Sequence, residues 1–266
     1  MNDEKIILPW MYRSTNELFV LVVTLVSLVV VGWLFFSLNI YVFIGGVIFA
    51  VVATQVEQTQ YLGSAVKVYS QQFPEIYKIF RKHAIALGIP NASLYIKQSP
   101  TLNAVTLGVS RCTVVLHSAL VEQLSLDELS FVLGHELAHF QAGHTKISQV
   151  FNPLGNISNN IIGQVISLIF GYWQRLAEYS CDNCGLVLTK NIDMVITTQI
   201  KLAIGKNLFE KLDMDAYINQ IKKSQNNTVR LSEALALASH PLTANRISNL
   251  VSYWKENFHR KSDGVS

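Results

Sequence analysis

Cysteine is scarce and odd in number. Three residues, Cys112, Cys181 and Cys184, support no disulfide framework, which excludes the small stapled scaffolds of secreted proteins. Cys181-Asp182-Asn183-Cys184 has C-x-x-C spacing, but no βαβ pattern surrounds it, so the pair is expected to pack rather than to cycle electrons. Charge is scarce as well: Asp, Glu, Lys and Arg make up 15% of the 266 residues, against about 25% in an ordinary soluble domain. The net charge of +3 is scattered, with no basic stripe interleaved with aromatics, so no nucleic-acid partner is expected. Internal repeats and low-complexity segments are also missing.

The shortage of charge is local. No charged residue lies between Glu17 and Glu57, which leaves 39 uncharged positions. A bilayer core of roughly 30 Å takes about 20 helical residues, so this run fits two spans and a tight turn. The spans are read at 18–36 and 40–56, with Ser37-Leu38-Asn39 as the turn. A cleaved signal peptide does not fit, because the apolar region is too long and the N-terminus carries Asp3 and Glu4. One tilted span plus a buried helix is the lesser alternative. Lys5 and Arg13 precede the run, and Lys67, Lys78, Arg81 and Lys82 follow it. By the positive-inside rule both ends then face the cytoplasm. The division expected is an N-terminal segment 1–17, a hairpin 18–56, a catalytic domain 57–257 and a polar tail 258–266.

His135-Glu136-Leu137-Ala138-His139 carries the chemistry. Residues four apart share a helix face, so both imidazoles aim at one point. Two imidazoles are two of the three protein ligands of a catalytic zinc, and Glu136 beside the first can take a proton from a water there. The helix itself is announced by Ser125-Leu126-Asp127-Glu128, a capping box. Leu126, Leu129, Val132, Leu133 and Leu137 follow at helical spacing, and Gly143 stands near the end.

The third ligand comes from elsewhere. The extended motif with a third histidine needs Gly at 142 and His at 145, where this chain has Ala142 and Thr145. His144 is out of phase and is expected to close the helix C-terminus rather than to bind metal. Glu178 is the better candidate. It lies four residues before Asp182 on a second predicted helix, so Glu178 can ligate while Asp182 accepts the ring N–H of a ligating histidine.

H-E-L-A-H, then Arg175-x-x-Glu178-Tyr179-x-x-Asp182, then Ser239-His240-Pro241 with Arg246-Ile247, resembles the membrane-anchored zinc metalloproteases of the HtpX and CaaX-prenyl-endoprotease kind. The likeness covers roughly residues 60–257 and extends to Leu102-Asn103-Ala104-Val105, similar to the Asn-Ala strand beside such active sites. It implies His135, His139 and Glu178 on one Zn2+ per chain, Glu136 as general base and Asp182 behind the ligands. His240 and Arg246 would act at the substrate carbonyl or hold the site together. Asn103, Ala104 and Val105 would belong to an edge strand that pairs with an extended substrate.

The fold class expected is α+β: a mainly helical, zincin-like metalloprotease domain with a small β-sheet, attached to an N-terminal transmembrane hairpin. Pro74–Leu87 reads as an amphipathic helix ended by Gly88. Leu94–Lys97, Ala104–Val109 and Thr113–Leu116 read as strands, with Gly108 and Ser110-Arg111 turning between the last two. Asn152, Asn156, Asn159 and Asn160 lead into an apolar stretch at Ile161–Phe170, read as a packed helix or lid. Residues 192–257 read as helices around His240. The function expected is a zinc endopeptidase at the bacterial inner membrane, cytoplasmic in its catalytic domain, with protein or peptide substrates and the lipid bilayer as partners. A zinc-binding, chaperone-like protein without turnover, or a prenyl-protein endoprotease, are the alternatives.

Overall fold

The computed structural model describes residues 6–36, 40–148, 161–224 and 241–259. Ser37-Leu38-Asn39, Asn152 to Asn160, Ser239 and His240 therefore lie outside the described residues.

Two apolar helices come first, α1 (Glu17–Phe36) and α2 (Ile40–Gly63). α2 runs seven residues beyond the expected end of the second span. Among the described residues no helix is long and apolar enough to cross a membrane; the side chains of several positions in both helices fall outside the described set.

A four-stranded sheet follows, formed by β1 (Ala65–Lys67), β2 (Ser93–Lys97), β3 (Ala104–Leu107) and β4 (Thr113–His117) in the order β1-β2-β4-β3. β2 and β4 run parallel, and the outer pairs are antiparallel. The parallel pair needs a crossover, which β3 supplies before it turns back on β4. Gly108 makes that return at φ +106°, where an added Cβ would meet the Arg111 carbonyl oxygen. Among the described residues β3 is thus an edge strand, with no strand on its outer side. β1 was not foreseen: three residues carry no readable alternation.

α3 (Pro74–Ala86) buries Ile76 and Phe80. The short α4 (Ser118–Gln123) leads into α5 (Leu126–Gln141), whose start is the foreseen capping box: Glu128 N donates to Ser125 Oγ at 3.3 Å and Ser125 N to Glu128 Oε2 at 2.9 Å. The chain re-enters helix at 144–148. α6 (Ile161–Thr189) is one helix of 29 residues, so the apolar stretch 161–170 is continuous with the Glu178 segment. α7 (Ile192–Ile204), α8 (Lys206–Phe209), α9 (Met214–Ser224) and α10 (Thr243–Trp254) complete the domain.

Among the described residues, α5 makes its most extensive helix contact with α6. Gly134 and Gly185 meet there; a Cβ on Gly185 would stand 2.7 Å from Phe131, and one on Gly134 3.2 Å from the Gly185 backbone. Two missing side chains bring the backbones close enough for His135 and His139, beside and just over one turn beyond Gly134, to share one centre with Glu178, two turns before Gly185. Leu129, Leu133 and Leu137 of α5 pack into a core with Phe80, Leu94, Leu116 and Leu186.

Residues 7–17 strap across these helices. Tyr12 is fully buried and its hydroxyl donates to Gln141 at 2.7 Å, while Asn183 Nδ2 donates to the Tyr12 carbonyl at 3.1 Å. Arg13 Nη2 donates to the Ala142 carbonyl at 2.8 Å.

Candidate active site

α5 carries His135 and His139 one turn apart, with Nε2 atoms 3.2 Å from each other. α6 crosses beside them and presents Glu178, Oε2 at 3.5 Å from His135 Nε2 and Oε1 at 3.3 Å from His139 Nε2. Ligands about 2.0–2.2 Å from a tetrahedral metal stand roughly 3.3 Å apart. Two imidazoles and a carboxylate at these separations are a donor set that fits a metal ion. The group is inset, with His135 7% and Glu178 6% exposed.

Behind the donors, Asp182 lies one turn beyond Glu178. Its Oδ1 accepts from His135 Nδ1 at 2.9 Å. Because that carboxylate accepts only, His135 donates from Nδ1, which reserves Nε2, the atom that faces Glu178, for a metal when one is held. Arg246 of α10 grips Asp182 with both arms of its fork, Nε to Oδ2 at 2.7 Å and Nη2 to Oδ1 at 2.6 Å, and places Nη1 3.6 Å from Glu178 Oε2. Gln199 Nε2 on α7 donates to the same Oδ1 at 2.9 Å. Burial works to raise the Asp182 pKa, yet Arg246 and His135 more than offset it and hold the carboxyl below its usual range. Burial likewise opposes the charged form of His135, but its bonds to Asp182 and Glu178 carry the ring up to about 10. Without a metal, a proton is the cation this pocket takes.

Glu136 points from α5 toward β3. Thr106 Oγ1 lies 2.8 Å from Glu136 Oε2 and 2.8 Å from the Glu136 carbonyl, so its single proton is shared between the carboxylate and the backbone oxygen. Asn103, Ala104 and Val105 lie on or just before the edge strand that carries Thr106, and Asn103 is exposed. Ala104 pairs with Leu116 and Val105 with Val115 on the inner side.

His144 departs from expectation. It does not close a solvated helix end but is buried, with Nδ1 3.3 Å from His139 Nδ1 and Nε2 2.8 Å from Glu17 Oε1. Burial keeps its ring below the usual histidine range although Glu17 pulls the other way. Glu17, fully buried at the base of α1, also takes Arg13 Nε at 3.0 Å and the Ser180 hydroxyl. Cys181 Sγ lies 3.5 Å from His144 Nδ1, so His139, His144 and Cys181 form a second trio of donors within reach of one another. Burial and then Glu178 hold the Cys181 thiol well above its usual range, which favours the protonated form and weakens that trio as a cation site. Cys184 is likewise buried and unbridged, as packing residues are.

His135, His139, Glu178, Asp182 and Arg246 are thus brought together, and Glu136 follows His135 on α5 with its carboxylate on Thr106; Asn103, Ala104 and Val105 lie on or just before the strand that carries Thr106, and His240 lies outside the described residues. Sequence reasoning missed Thr106, Gln199, Ser180 and Glu17. Only Glu17 left a trace, as the charge that bounds the uncharged run.

The sequence profile of Peptidase family M48 matches residues 70–254. Among curated proteins the chain is similar to the plastoglobule-localized metallopeptidase 48, chloroplastic, of Arabidopsis thaliana, 29% identical over 78% of this chain and 64% of that protein. It is similar to the protease HtpX homolog of Streptococcus uberis, 25% identical over 68% of this chain and 65% of the relative. A protease HtpX homolog of Streptococcus pyogenes matches at 24% identity over 71% of this chain and 76% of its own length. The chain spans a little under two thirds of the length of the first two relatives. With well over half of its residues matched, the chain belongs to peptidase family M48.

Proposed function

We propose that this protein is a membrane-anchored, zinc-dependent endopeptidase with His135, His139 and Glu178 as metal ligands and Glu136 as general base. One observation carries the reading: two imidazole nitrogens and a carboxylate converge at 3.2–3.5 Å with Glu136 beside them and the edge strand β3 alongside. Family membership supports it. Zinc held there supplies Lewis-acid polarisation of a carbonyl and draws the pKa of a water toward neutrality.

The chain's own residues supply the rest. Glu136, held by Thr106, accepts a proton from the attacking water and returns it to the leaving amine. Asp182 and Arg246 act as positioning residues, because the Arg246 fork is committed to carboxylates. The donor to the developing oxyanion is then assigned to His240, on the family likeness. The free side of β3 at Asn103–Val105 takes an extended segment by main-chain pairing, which tolerates many sequences. Unfolded or misfolded segments, including those of membrane proteins, are the substrates this favours, as in protein quality control.

Anchoring rests on the charge-free run 18–56 and on α1 and α2, whose Phe19, Val26, Val29, Trp33, Phe49 and Val52 are exposed. By the positive-inside rule, Lys5, Arg13 and the basic residues after 66 favour a catalytic domain on the cytoplasmic side of a bacterial inner membrane. The domains proposed are an N-terminal cytoplasmic segment 1–17, the hairpin 18–56, the protease 57–257 and the tail 258–266. A purely structural zinc is the weaker reading, since such sites are closed by four protein ligands and have no use for Glu136.

The test is cleavage of an unfolded model protein by detergent-purified wild type and Glu136→Gln, with zinc determined on both. Cleavage by wild type alone, with zinc in both, is expected. Equal turnover would remove Glu136 from the reaction.

A further inference from the structure

Each of the two histidines of the motif must carry its ring proton on Nδ1 if Nε2 is to ligate. Asp182 ensures this for His135 directly. No carboxylate touches Nδ1 of His139 among the described residues; that atom faces His144 Nδ1 at 3.3 Å. The proton inventory of this contact is determined by the next one. Glu17 Oε1, 2.8 Å from His144 Nε2, can only accept, so Nε2 of His144 donates. A His144 that donates from Nε2 offers a lone pair at Nδ1, which His139 Nδ1 meets at 3.3 Å and the Cys181 thiol at 3.5 Å; a thiol is a weak donor, so the imidazole N–H of His139 Nδ1 takes that lone pair. The lone pair of His139 is left on Nε2, facing His135 Nε2 and Glu178 Oε1.

We infer that His144 and Glu17 form a relay that fixes the tautomer and ring orientation of His139, and so ties metal retention to the seating of the N-terminal strap and α1. The inference rests on the zinc reading above. The relay is built rather than incidental. His144 is 2% exposed and Glu17 fully buried, 127 residues apart in the chain. Glu17 is held in place by Arg13 and by the hydroxyl of Ser180, which lies between Glu178 and Asp182 on α6. Ser14 N donates to the same hydroxyl at 2.8 Å, and Trp173 packs edge-on to the His144 ring. Two carboxylates far apart in the chain thus orient the two imidazoles, Asp182 by contact and Glu17 through His144. Loss of outer partners of this kind lowers metal affinity about 10–100-fold. A strap and hairpin pulled from their seat would carry Glu17 away from His144 and loosen the site.

The experiment is a zinc titration against a competing chelator on the full chain in detergent, for wild type, His144→Leu, His144→Asn and Glu17→Gln, with thermal midpoints of zinc-loaded and metal-free forms. His144→Leu fills the space without a donor or acceptor and should weaken zinc about 10–100-fold. His144→Asn retains one donor and one acceptor and should recover part of the loss. Glu17→Gln, which retains an acceptor but not the charge, should fall between. The stabilisation conferred by zinc should shrink in His144→Leu; a packing role would instead lower both midpoints equally. Affinity unchanged in His144→Leu and Glu17→Gln would overturn the relay. Two zinc ions per wild-type chain, falling to one in Cys181→Ser, would overturn it too and assign His139, His144 and Cys181 to a second metal. Wild type that holds no zinc would instead defeat the reading of the site itself.

Discussion

At the scale of residues, the site separates into groups set by local spacing and groups set by the fold. His135, Glu136 and His139 follow from their i, i+4 arrangement, and Glu178 with Asp182 from the same rule on a second helix. Their partners do not. Thr106 stands 30 residues from Glu136, Gln199 reaches Asp182 from another helix, and Glu17 meets His144 across 127 positions. No periodicity encodes contacts between elements, so these were invisible in the sequence. Thr106→Val should lower kcat about tenfold while zinc content stays full, since it frees Glu136 without touching a ligand. Steady-state turnover alongside metal analysis reads both, and unchanged kcat would remove Thr106 from the account. Arg246→Lys keeps the charge but loses the fork. Zinc affinity should fall about tenfold with activity following occupancy; lost kcat at full zinc would mean that Arg246 itself meets the substrate.

At the scale of elements, the α5–α6 crossing decides whether Glu178 reaches the histidines. Gly185→Ala places a methyl 2.7 Å from Phe131 and should cost about 1–3 kcal/mol of stability. It should also weaken zinc binding, because the helix that carries Glu178 must shift; a thermal melt and a chelator competition would show both, and an undisturbed melt would contradict the crossing. α3 docks on α5 through His83, 2% exposed, whose Nε2 lies 2.7 Å from Ser130 Oγ. Burial, with Lys82 adding to it, lowers its pKa to about 4 from 6.5. Between those values the unfolded chain binds a proton that the folded chain refuses, so stability falls as pH drops from 6.5 toward 4. At pH 5 the penalty is about 2 kcal/mol. His83→Gln should flatten that part of the stability profile, measured as unfolding midpoints at pH 7 and pH 5; a slope equal to that of wild type would place the titration elsewhere. The boundaries of α3 and α5 were legible because a proline or capping box opens them. β1 and the unbroken course of α6 were not, since one is three residues long and the other mixes an apolar half with a polar one.

At the scale of the whole molecule, the N-terminal strap that leads into α1 lies across α5 and α6, the helices that carry the proposed ligands. The anchoring claim has its own check: Trp33 is 67% exposed on α1, whereas Trp173 is fully buried in the domain. In liposomes containing brominated lipid, Trp33 should be quenched, and Trp33→Phe should abolish most of that quenching. The central claim, a single metal on His135, His139 and Glu178, is tested most directly by X-ray absorption at the zinc edge of the wild-type protein. The account predicts one zinc per chain in a shell of nitrogen and oxygen at about 2.0–2.2 Å. A sulfur scatterer near 2.3 Å would contradict it and move the ion to His144 and Cys181.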